Sequence, residues 1–98
     1  MSAAIAVRKG GSTVTHADTA VYIEATGLDA NDPADDGVAL LYHIECTKSG
    51  QDPLVSETFS GEEFSWQGVV FPAAGTWAYK VIAEADDSTV VTHNLVVA

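Results

Sequence analysis

Residues 19–26 alternate in two-residue steps: Thr19, Val21, Ile23 and Ala25 fall on one side, Ala20, Tyr22 and Glu24 on the other, and Gly27 stops the run. A period of two is the mark of a β-strand with one buried face. The rhythm returns over residues 38–48, where Leu40, Tyr42, Ile44 and Cys46 oppose Leu41, His43, Glu45 and Thr47. It returns again over residues 76–85, where Trp77, Tyr79 and Val81 share a face. Weaker runs cover residues 4–9, 54–59, 64–71 and 89–97. The first carries small and basic side chains that suit a sheet edge; after Gly10-Gly11, residues 13–16 are expected to resume that edge. In the run 64–71, Phe64, Trp66 and Val70 are expected on one face, with a bulge near Gly68. No helical periodicity of useful length occurs.

The stretches between the runs are turn chemistry. Gly27-Leu-Asp-Ala-Asn-Asp-Pro-Ala-Asp-Asp-Gly37 combines Gly, Pro, Asn and four Asp, so it is expected to be neither strand nor helix but a solvated connection, the longest in the chain. Residues 49–53 and 60–63 read as turns, and Asp86-Asp87 with Ser88 as a tight turn. Seven short strands with turn signals at intervals of roughly 8 to 12 residues predict an all-β, immunoglobulin-like sandwich of about seven antiparallel strands, a small barrel being the competing architecture.

At 98 residues the chain holds one domain, 1–98, with no internal repeat. Hydrophobic residues make up 47% of it, too many for a disordered tail, yet no apolar run approaches the roughly 20 residues of a membrane-spanning helix. The two basic residues near the start follow an apolar patch, the reverse of a secretory signal, so no export signal is expected. Cys46 is the only cysteine, so no internal disulfide can form and packing alone must hold the core, as suits a reducing cytoplasm.

Arg8, Lys9, Lys48 and Lys80 stand against fourteen acids, a formal charge of -10 divided evenly between the halves of the sequence. Nucleic acid, which calls for clustered Lys and Arg, is not expected as a partner; the acids either serve solubility alone or favour a basic protein surface or a divalent cation.

The phrase Phe71-x-x-x-Gly75-x-Trp77-x-Tyr79-x-Val81, followed by an acidic turn and a Val/Thr-rich last strand, resembles the closing phrase of bacterial and phage immunoglobulin-like domains. In the immunoglobulin pattern Trp77 takes the place of the corner tyrosine and Tyr79 that of the core cysteine; a tryptophan cannot make the phenolic corner hydrogen bond. The resemblance covers the last 40 residues or so. It implies a small accessory protein of a tailed-phage virion, decorating capsid or tail and acting without enzymatic chemistry. A carbohydrate- or cell-surface-binding module of a fibre or adhesin is the alternative, and it calls for an exposed aromatic at Trp66 or a neighbour.

Candidate sites are few. Asp29, Asn31, Asp32, Asp35 and Asp36 are hard oxygen ligands of the kind calcium takes, but Pro33 interrupts the alternation of ligands and no glutamate closes the loop, so it is not an EF-hand. His16, His43 and His93 fall on three different runs and do not space as zinc ligands. Ser56, Thr58 and Ser65 neighbour carboxylates without a histidine placed as base, and adjacent Glu62 and Glu63 point apart. Val21, Ile23, Tyr42, Ile44, Trp77, Tyr79 and Val81 are expected in the core. Partner contacts are expected from Trp66, from the acids around Asp29–Asp36 or Asp86-Asp87, and from residues 89–97, whose last positions are apolar on both faces and which either lie under the first strand or self-associate.

Overall fold

The computed structural model describes residues 3–8 and 15–98. All regular structure in them is β: β1 (Ala4–Arg8), β2 (Val21–Thr26), β3 (Asn31–Asp32), β4 (Asp35–Ala39), β5 (Leu41–Thr47), β6 (Leu54–Val55), β7 (Phe59–Ser60), β8 (Phe64–Val69), β9 (Gly75–Ala83) and β10 (Thr89–Val97). One antiparallel sheet has the order β1-β2-β8; a second has the order β10-β9-β5-β6, with β7 also on β5; β3 and β4 form a separate ribbon. The inward residues of the two larger sheets make one hydrophobic cluster, so the molecule is sandwich-like.

Alternation decides which side chains enter that cluster. Val21, Ile23 and Ala25 of β2, Tyr42, Ile44 and Cys46 of β5, and Trp77, Tyr79 and Val81 of β9 are all buried, so each of the seven residues expected in the core lies there. Register fixes their neighbours: Ile44 is opposite Val81 and Cys46 opposite Tyr79, while Ile23 is opposite Trp66.

The phrase 71–81 supplies the largest fully buried side chains, Trp77 and Phe71, whose rings meet at 5.3 Å and 59°. The indole Nε1–H of Trp77 donates to the Ala73 carbonyl four residues upstream, at 2.9 Å. Gly75, at φ +128°, makes the turn between donor and acceptor with a backbone that side-chain-bearing residues rarely adopt.

Five expectations change. The loop 27–37 is not structureless: the ribbon β3–β4 forms from it and takes in Val38 and Ala39, expected to begin the next strand, because Pro33-Ala34 turns the chain and the Asp32 carboxylate accepts the Ala34 amide at 2.9 Å. The run 54–59 is two short strands, since at Ser56 the Ile44 amide bonds the side-chain hydroxyl, at 2.7 Å, while the Ser56 amide still donates to the Ile44 carbonyl at 2.9 Å. Of residues 13–16, Thr13 and Val14 lie outside the described residues, and Thr15 bridges Val97 in parallel, in the other sheet, and not the first strand's edge. The last strand pairs along its length with β9, and beyond its end Thr15 and Ala17 bond Ala98 through their backbones, whereas β1 pairs with β2. The last expectation to change is that of Val70.

The bulge expected near Gly68 is present: Trp66 faces Ile23 and Val69 faces Val21, three residues of β8 against two of β2. The extra residue shifts the alternation, so Val69 is buried and Val70, expected to share a face with Phe64 and Trp66, is 42% exposed. Gly68 sits at φ +68° with open space around a hypothetical Cβ. Gly68→Ala is thus expected to cost about 1 kcal/mol through backbone conformation alone, read as a lowered urea midpoint. An unchanged midpoint would mean the bulge relaxes.

Candidate functional site

Three connections close the same end of the sandwich: residues 27–40 between β2 and β5, residues 61–63 between β7 and β8, and residues 84–88 between β9 and β10. Backbone bonds tie them together. The Leu28 amide donates to the Glu62 carbonyl at 3.0 Å, the Leu40 amide to Ala30 at 3.0 Å, and the Glu84 amide to Leu41 at 2.9 Å. The Tyr42 hydroxyl donates to the Asp29 carbonyl at 2.7 Å; burial, chiefly, pushes that phenol's pKa up.

These connections carry four, two and three acids, nine of the chain's fourteen. Of the basic residues, Arg8 pairs with Glu24 at 3.7 Å on the outer face of the small sheet, Lys80 reaches Glu45 at 3.9 Å in mid-sheet, and Lys48 lies beside Gly75 at the opposite end. An acid distribution that is even along the sequence is thus one-sided in space. The Asp29–Asp36 loop and the Asp86-Asp87 turn, distant in sequence, share one surface. Ser88 holds the Asp86 carboxyl below its usual range through its hydroxyl, at 2.7 Å, and its amide.

An apolar hollow of about 240 Å³ lies within this acidic end, walled by Val38, Ala39, Leu40, Leu41 and Ala85, with Asp32 and Glu84 in its lining. Val38 is 46% and Leu41 42% exposed. The Glu84 carboxylate is fixed from behind: His43 Nδ1 donates to its Oε1 at 2.6 Å and the Thr58 hydroxyl at 3.3 Å. A carboxylate only accepts, so the proton of that short bond sits on Nδ1. A second hollow of about 300 Å³, lined by Glu24, Glu63, Phe64 and Ser65, is more polar.

The remaining candidates separate. The carboxylates of Asp32 and Asp35 are used in the ribbon itself, Asp35 accepting the Gly37 amide at 3.1 Å, and among the described residues no group of three or more His, Cys, Asp or Glu gathers as a metal would require. His43 and His93 lie on opposite faces of the larger sheet, His93 tilted over Tyr79, while His16 is exposed beside the Thr15 bridge. Ser56 spends its hydroxyl on the Ile44 amide and the Glu57 carbonyl, and Thr58 donates to Glu84, so neither is aligned as a nucleophile on His43.

Trp66 is half-buried. Although β8 is an edge strand, the ring lies on its inner face opposite Ile23, packed against the core. Phe64 beside it stacks on Phe59 at 4.5 Å. The hollow itself is what the sequence concealed: its walls are contributed by the ribbon and by the turn after β9, and nothing in the alternation of residues 31–41 signals a ribbon.

Comparison of the chain with protein-family models, with curated proteins and with solved structures finds no match.

Proposed function

We propose that the protein is a non-enzymatic, immunoglobulin-like accessory module of a phage virion that docks on a coat or tail protein through its acidic end. The observation that carries the docking surface is the gathering of nine carboxylates around an apolar hollow at one end of the sandwich. Apolar contact with a charged surround is the make-up of a specific protein interface, and a one-signed field speeds encounter with a basic surface. The immunoglobulin-like reading rests on strand sets: β1, β2 and β8 face β5, β9 and β10, the partition that strands A, B, E and C, F, G have in that fold. The virion setting rests on the likeness of residues 71–81 to phage domains of this class, and a repeating lattice would multiply a modest affinity per copy.

The carbohydrate-binding alternative draws on an exposed Trp66, and that ring faces inward. Co-sedimentation decides between them. Incubated with capsids and tails of the encoding phage, the protein is expected to pellet at low salt and to be released at high salt. Protein that stays monomeric in the supernatant with every particle component, or that pellets only with polysaccharide, overturns the proposal.

A further inference from the structure

Resting on that docking reading, we infer that the occupant of the acidic end is a basic, extended segment of the partner protein that inserts one aliphatic side chain into the Val38–Leu41–Ala85 hollow. Size selects the anchor. The hollow, about 240 Å³ and open to solvent, has room for a Leu-, Ile- or Met-sized side chain with part of its backbone. Walls of Val38, Ala39, Leu40, Leu41 and Ala85 offer such a side chain dispersion contact.

Charge selects what flanks the anchor. Asp32 and Glu84 line the hollow and Asp35, Asp36 and Asp86 are exposed nearby, whereas Arg8, Lys48 and Lys80 all lie away from this end. A segment whose anchor enters here brings its neighbours against carboxylates, which favours Lys or Arg on either side and disfavours Asp or Glu. The site is formed in advance: the Leu40 and Glu84 amides pin the two walls to Ala30 and Leu41, and His43 with Thr58 fixes the Glu84 carboxylate. Little ordering is needed on binding.

The test is a titration of the isotope-labelled protein with three short peptides: one alternating lysine and leucine, one of lysine and serine, and one of glutamate and leucine. The lysine-leucine peptide is expected to shift amides of residues 31–41 and 84–86, and to bind at least about tenfold more tightly than either control, a difference of about 1.4 kcal/mol or more. Val38→Ser with Leu41→Ser, both exposed positions, is expected to remove that advantage while leaving the far-ultraviolet dichroism unchanged. Asp32→Asn with Glu84→Gln is expected to weaken binding and flatten its salt dependence.

Equal binding of the lysine-serine peptide would mean ion exchange without an anchor and overturns the inference, as do shifts spread over other faces. The two readings fail separately. A protein that binds the peptide at this end but never pellets with particles keeps the inference and loses the virion; one that pellets undiminished with the Val38→Ser, Leu41→Ser pair docks elsewhere.

Discussion

Trp77→Ala is expected to leave the protein largely unfolded or close to it. The indole is fully buried between the sheets, so its truncation removes about 3 to 5 kcal/mol of transfer and cavity energy. It also strands the Ala73 carbonyl that the ring nitrogen serves at 2.9 Å, adding about 1 kcal/mol. Domains of this size are stable by about 5 to 15 kcal/mol, so the loss takes about a quarter of the total or more. Trp77→Phe separates the two contributions: it keeps an aromatic against Phe71 but gives up the donor. Urea titrations followed by far-ultraviolet dichroism should order the midpoints wild type, Trp77→Phe, Trp77→Ala. A Trp77→Ala midpoint within about 1 kcal/mol of wild type would show that Trp77 is not the pillar of this core.

The second large effect is with pH. Burial, first, and the neighbouring Glu45 push the Cys46 thiol up to about 12 from an ordinary 9.0. In the native protein the thiol keeps its proton while the unfolded chain begins to release it near pH 9. The stability tied to that difference is complete below pH 9 and is lost as pH climbs toward 12, at about 1.4 kcal/mol per pH unit. The phenols of Tyr42 and Tyr79, both raised chiefly by burial, act in the same direction above their ordinary 10.0. Between about pH 9 and 10 the cysteine is therefore the main contributor. Cys46→Ala is expected to be less stable at neutral pH because of the cavity, yet to lose about 1 kcal/mol less than wild type across that interval. Parallel stability curves for the two proteins would rule the thiol out.

Much of the fold could be read because a buried strand in a two-layer protein must alternate. Every inward position of β2, β5 and β9 follows from period two, and the Gly68 bulge from the one residue that breaks it. The misreadings are places where something other than alternation ruled. Val70 was placed on the wrong face because a single extra residue reverses parity from there on. The ribbon in 27–40 was hidden because its strands are stabilised by Asx turns and by docking at the end of the sheets, not by an apolar face. The bond from Trp77 to Ala73 could not be read from alternation, since it runs along the chain across the Gly75 turn and not between the sheets. The candidate site depends on loop proximity across 40 or more residues, as between Leu41 and Glu84, and no local pattern encodes that.

The one-sided placement of the acids makes the molecule a permanent electric dipole. The nine residues of β9 span about 30 Å, several times the screening distance of about 8 Å at physiological salt. Each end is therefore felt separately by an approaching charged surface. Near a basic partner the protein experiences a torque as well as an attraction, and it turns its acidic end forward before any atom touches.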